Sequence, residues 1–146
     1  MEILSHVPRV VLLVMDDPSA ARAVAGAFAP VKPMVSVTTV STGAEALAVL
    51  RRKDAAGKPV HPSLIIMDLT LPDMPGQDLL HALKMDADLH RIPVIILTSL
   101  RDDAAVVRSY ENHANCFVGR PAEGEAFAAS LKVLAGFWMD TVRLPP

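Results

Sequence analysis

The sequence has a single cysteine, Cys116, so no disulfide can close within the chain, and a reducing cytoplasm is the expected setting. It has no long apolar run. Its apolar segments are short and broken by charges, which leaves no candidate for a membrane-spanning helix. No secretory leader is expected, since an acid, Glu2, stands at the start of this sequence and no extended apolar region follows. It has no large excess of charge. A net charge of −2 gives no sign of a nucleic-acid-binding module. No cluster of histidine and cysteine suggests zinc, and His6, His61, His81, His90 and His113 read as scattered solvated side chains. No internal repeat or low-complexity segment is visible.

What is present is core material. The chain has 146 residues, of which 51% are apolar, enough for one domain with its own core. Val10 to Met15 is an unbroken apolar run and reads as a central buried strand. Asp16-Asp17 and Pro18-Ser19 follow it. Proline suits a first helical turn, and Ala20 to Phe28 is alanine-rich helix, closed by Pro30 and Pro33. Val35 to Val40 alternates, the mark of a strand near an edge. Ser41-Thr42-Gly43 leads into a helix over Ala44 to Arg52, and Asp54 to Ser63 reads as a loop.

Leu64 to Met67 is a third strand, Gly76 to Met85 a helix, and Val94 to Leu97 a fourth strand. Arg101 to Tyr110 is a more polar helix, and Cys116 to Val118 a fifth strand. A last helix runs from Ala122 to about Met139, with 140–146 as a tail. Strands alternating with helices call for a parallel sheet covered on both faces. The expected class is α/β, a flavodoxin-like doubly wound (βα)5 fold with a five-stranded parallel sheet in the order 2-1-3-4-5.

In such a sheet the carboxyl ends of the strands share one edge. Asp16 and Asp17, Asp68, Thr98 and Arg120 all fall there. Each has an ordinary explanation on its own. Acids are favoured at helix N-termini, Thr98 and Ser99 suit a helix cap, and Asp68 stands in a turn before Pro72. Their common placement favours a pocket. Close carboxylates repel unless a cation intervenes, and a hard, oxygen-preferring ion answers that need. Magnesium fits best, because it takes one or two carboxylates together with water and phosphate oxygens.

Met15-Asp16-Asp17, the Asp68 stretch with Pro72 and Gly76, Thr98-Ser99 and Arg120-Pro121 together resemble the receiver domains of two-component response regulators. The resemblance covers nearly the whole chain. It implies that Asp68 is the phosphoacceptor and that Asp17 and Asp68 ligate Mg2+. Asp16 would help through water, and the backbone carbonyl of Thr70 would complete the protein ligands. Thr98 would bond the phosphoryl group, Phe117 would fill the aromatic switch position, and Pro121 would follow a cis peptide bond. One position departs from the family pattern: a lysine is usual where this chain has Arg120. The two cations differ in shape and reach, so phosphorylation is expected to survive with altered rates.

The C-terminal part is similar to phytochrome-associated single-domain response regulators. The carrying residues are Arg108-Ser109-Tyr110-Glu111, Ala114-Asn115-Cys116-Phe117, Gly136-Phe137-Trp138 and Val142-Arg143-Leu144-Pro145. That similarity implies a sensor histidine kinase partner that is a bacterial phytochrome, and a homodimer. The last helix supports self-association separately. Phe127, Leu131, Leu134 and Trp138 form a stripe facing the sheet, while Val133 and Phe137 lie on a second apolar face. Either a partner or the chain's own tail covers that face. Tyr110 is read either as exposed to a partner or as packed in the core.

The expected function is that of a single-domain response regulator, phosphorylated on Asp68 and signalling by conformational change and protein contacts. No nucleic acid, membrane or attached output domain is expected. It is no enzyme beyond its own phosphorylation and dephosphorylation. The alternative is a pseudo-receiver, a binding module that works without phosphorylation, for which Arg120 is the support. An aspartyl-phosphate phosphohydrolase is disfavoured, because Thr70 stands where a second acid is needed. A nucleotide-binding flavodoxin relative is disfavoured by the lack of a glycine-rich loop after the first strand.

Overall fold

A computed structural model describes residues 9–30, 35–100, 102–121 and 124–146. The lead-in 1–8, Pro33, Arg101 and Ala122 lie outside the described residues. Within them, five strands alternate with five α-helices. The strands are β1 (Arg9–Val14), β2 (Val35–Val40), β3 (Leu64–Met67), β4 (Val94–Thr98) and β5 (Cys116–Gly119). The helices are α1 (Pro18–Phe28), α2 (Gly43–Leu50), α3 (Gly76–Met85), α4 (Asp103–Glu111) and α5 (Glu125–Gly136). All strand pairings are parallel, as the alternation called for, and the order is the expected β2-β1-β3-β4-β5.

Side chains alternate across each strand and sort the core into two layers. Val11, Leu13, Met15, Ile66 and Leu97 pack with Val24 and Phe28 of α1 and with Phe127 and Leu131 of α5. Leu12, Val14, Ile65, Met67 and Ile96 pack with Leu50 of α2 and with Leu79, Leu80 and Leu83 of α3. Burial on both faces is why β1 and β3 read as continuous apolar runs. β2, which alternates in sequence, is an edge strand.

Helix starts follow local chemistry. Asp17 caps α1 by accepting from the Ser19 and Ala20 amides, with Pro18 in the first turn. Thr42 and Glu45 form a reciprocal capping box on α2. On α4 the cap is Asp102, which accepts from the Ala105 amide, and not Thr98 or Ser99. Thr98 is instead the last residue of β4.

The last helix departs from expectation. The α-helix ends at Gly136, and a π-helical turn covers Phe137–Thr141, so the tail begins at Val142 and not at residue 140. The Val142 amide reaches back five residues to the Phe137 carbonyl at 2.8 Å. The wider turn shifts the inward stripe by one position. Met139 is buried where Trp138 was expected, and Trp138 is half-buried against the same cluster. The Arg9 guanidinium donates to the Met139 carbonyl and so places a cation at this C-terminal end.

Candidate functional site

Strand register brings the candidate residues to one edge. Val14 aligns with Val40 and Met67, Met67 with Ile96, and Thr98 with Gly119. The residues that follow these positions leave the sheet together, where open α/β sheets bind ligands.

Asp68 is 6% exposed and Thr98 is fully buried. The Thr98 hydroxyl donates to Asp68 Oδ1 at 2.7 Å, and the Thr70 amide donates to the same oxygen at 3.1 Å. Among the described residues no buried side-chain oxygen lacks a partner and Oδ2 accepts no hydrogen bond, so Oδ2 opens to solvent. The carboxylate is gripped through one oxygen and free at the other. A nucleophile held by its neighbours needs that arrangement. Thr98 is itself pinned: its carbonyl accepts from the Arg120 amide at 2.7 Å and its hydroxyl from the Leu100 amide at 3.3 Å.

The first-strand acids diverge. Asp16 is exposed and lines a cleft with Thr39 and Ser41 on the β2 side of α1. Asp17 lines the groove between α1 and α5. One Asp17 oxygen caps α1, and the other lies 3.4 Å from Arg120 Nη1. Arg120 also stands 6.0 Å from the centre of the Phe127 ring. The guanidinium is therefore seated between α1 and α5, beside Asp17. Pro121 follows it, half-buried.

Asp68 to Gly76 forms a closed tongue. Thr70 bridges to Pro75, and the Gly76 amide donates to the Leu69 carbonyl at 2.8 Å. Gly76 is required there, because a Cβ would lie 2.4 Å from Leu69 Cα. At the tip, Asp73 accepts from the Gly43 and Ala44 amides at 2.9 Å each. Those amides, Gly43 first, hold the Asp73 carboxyl below the usual carboxylate range.

Among the described residues no three acids, histidines or cysteines are gathered closely enough to hold a metal alone. The donors at this edge are carboxylate, hydroxyl and backbone oxygens, and Asp68 Oδ2 is open. That set suits a hard divalent cation that keeps part of its water shell. Cys116 offers no competing chemistry, since burial pushes its thiol pKa up.

The expected switch and dimer residues lie on the β5 side of the sheet. Phe117 is half-buried against the α2–α3 core layer, and its amide donates to the Tyr110 hydroxyl at 3.2 Å. Tyr110 is half-exposed, which decides between its two readings. Val133 is 73% and Phe137 50% exposed, so the tail does not cover them. Phe137 meets Trp138 edge to face at 5.6 Å. Sequence reasoning missed two features. One is Asp73. The other is a polar clasp in which Gln77 donates to Ser109 Oγ at 3.0 Å and accepts from Asn112 at 2.9 Å. A serine in the middle of α4 was the only local hint of the clasp.

A family model for the response regulator receiver domain matches residues 11–132. The chain belongs to that family. It is 31% identical over 141 residues to Response regulator Rcp1 of Synechocystis sp., covering 97% of this chain and 96% of the relative. The Mn2+-bound form of Rcp1 superposes with a TM-score of 0.88, covering 95% of this chain and all of that one. The phosphorylated cyanobacterial phytochrome response regulator RcpA also gives 0.88 at 31% identity, with 96% and 100% covered. The bacteriophytochrome response regulator RtBRR gives 0.73 at 30% identity, with 96% and 82% covered. The likeness to these response regulators thus covers more of the chain than the part matched by the family model.

Proposed function

We propose that this receiver accepts a phosphoryl group on Asp68 from a sensor histidine kinase and signals by a change of shape. The observation that carries the reading is the Asp68 carboxylate, nearly buried, held at Oδ1 by Thr98 and Thr70 and open at Oδ2. In the transfer, a carboxylate oxygen forms a bond to phosphorus while the donor's phosphorus–nitrogen bond breaks. The electron pair leaves on the donor nitrogen. Such transfers need positioning and charge neutralisation above all.

Asp17, Asp68 and the Thr70 carbonyl would hold Mg2+, with Asp16 acting through water. The ion supplies charge neutralisation for the phosphoryl oxygens when bound. Thr98 gives its hydroxyl to the new phosphoryl group and so leaves its present bond to Asp68. Arg120 stands in for the usual lysine, reaching the site from the α5 side. Phe117 follows Thr98 as the switch aromatic, carrying its hydrogen bond to Tyr110 with it. No activity beyond the protein's own phosphorylation and dephosphorylation is assigned, and the cytoplasm is the proposed location.

The kinase is a bacterial phytochrome in this reading, supported by the likeness to RcpA and RtBRR. The receiver pairs with a second copy through Val133, Phe137 and Trp138 together with α4 and β5. The exposure of Val133 and Phe137 supports that assignment. The second reading, a pseudo-receiver, draws on the Arg120–Asp17 contact, which occupies an oxygen the metal would use. Incubation with acetyl phosphate and Mg2+, read by intact mass, separates the two. A gain of one phosphoryl group, absent in Asp68→Asn, is expected. No gain in either wild type or Arg120→Lys selects the pseudo-receiver.

A further inference from the structure

We infer that Asp73 is a positioning residue for the metal pocket, acting by tying the tip of the Asp68–Gly76 tongue to the first residues of α2. This rests on the proposed use of the Thr70 carbonyl as a ligand. Thr70 sits at the base of the tongue, two residues from Asp68, and the bridge to Pro75 closes the base. A backbone ligand has no side-chain torsions to adjust. Its place is set by the loop that carries it, and the loop's place is set by what anchors it.

Among the described residues the only side-chain hydrogen bonds from the tip run from Asp73 to α2. Both carboxylate oxygens are used, one on Gly43 and one on Ala44, at 2.9 Å each. Two parallel bonds fix orientation as well as distance. Contact is close beside them. A Cβ on Gly43 would lie 2.5 Å from Met74 Sδ, so the tongue lies directly on the helix start. The rest of the α2 N-terminus is already satisfied. The Glu45 amide is taken by Thr42 Oγ1 and the Ala46 amide by the Thr42 carbonyl. Thus Asp73 supplies partners for the two amides that the capping box leaves over. The helix and the loop complete one another.

The arrangement has a reciprocal consequence. If the clamp favours the loop shape that binds the ion, binding must favour the clamp. The Gly43 and Ala44 amides should then exchange more slowly with solvent once Mg2+ is added, although Ala44 lies on the exposed helix and makes no contact in the pocket.

Calorimetric titration with Mg2+ and with Mn2+ tests this on the full chain. Asp73→Ala is expected to raise the dissociation constant about tenfold, within the range seen when supporting partners of a metal site are removed. Asp73→Asn, which keeps one acceptor, should recover part of the loss. Thr42→Ala removes a different cap from the same helix and should leave affinity unchanged. An equal loss in Thr42→Ala and Asp73→Ala would assign Asp73 to helix stability alone and overturn the inference. So would unchanged affinity in Asp73→Ala, or unaltered exchange at Gly43 and Ala44. A wild type that binds neither ion overturns the metal reading and this one together. A wild type that binds, with Asp73→Ala binding equally, overturns only this one.

Discussion

α4 and α5 flank the same edge strand, β5, yet they are held by different forces. α5 buries Phe127, Leu131, Leu134 and Ala135, and Met139 of the following turn is sealed beneath it. α4 fully buries one residue, and it is a serine, Ser109. What ties α4 to α3 is the clasp of Gln77, Ser109 and Asn112, supplemented by partial burial of Ala105. Just past the Asn112 C-cap of α4, His113 has φ of 68°, a left-handed position better suited to glycine. Apolar burial is non-directional and strengthens with area, so α5 is fixed in place. Hydrogen bonds are directional and contribute little net stability each, so α4 can exchange one set for another at small cost. Among the described helices α4 is thus the one the core holds least, the kind of element that the switch proposed for Thr98 and Phe117 would move.

The contrast can be broken in three ways. The largest effect is expected from Leu131→Ala, which removes a fully buried side chain under α5 and should cost about 2–5 kcal/mol. Denaturant melts should show a lower midpoint at unchanged slope, with amides of α4 and α5 losing protection together. A smaller effect is expected from Ser109→Ala, about 0.5–1.5 kcal/mol, since the half-buried Gln77 amide loses its hydroxyl acceptor. Hydrogen exchange should then speed up in α4 and leave α5 as it was. If both helices respond equally, the two are one cooperative unit and the contrast fails. The smallest change in stability, within about 0.5 kcal/mol, is expected from Phe137→Glu on the exposed face of the π turn. Its readout is size: sedimentation should fall to the mass of one chain. A mass equal to wild type removes that face from the proposed dimer.

The same contrast explains what was legible beforehand. Continuous apolar runs and one alternating run marked the strands and placed Asp68 at a strand end, while the strand order was the one usual for five alternating strands and helices. The stripe of α5 was read correctly through Leu134. It then failed at Trp138, because a π turn adds a residue that no local periodicity announces. That turn goes with a long-range contact, since Arg9 meets the Met139 carbonyl across 130 residues of sequence. Polar partnerships were harder still. Asp73 meets α2 from 30 residues away, and Gln77 meets Ser109 from 32. A lone aspartate or glutamine carries no period that points at its partner.

The sequence by itself determined the layered α/β architecture and the sheet edge at which the strands carrying Asp16, Asp17, Asp68, Thr98 and Arg120 end, but not that Asp16 and Asp17 would diverge there. Hydrophobic periodicity and parallel pairing are enough for that, because both repeat along the chain. The tertiary structure decided which oxygen of Asp68 is held and which is open. It turned Asp17 toward α1 and Arg120, hung the Thr70 loop from α2, and left α4 on a polar clasp. Those outcomes depend on single directional bonds between distant residues, and only folding chooses among the partners available to them.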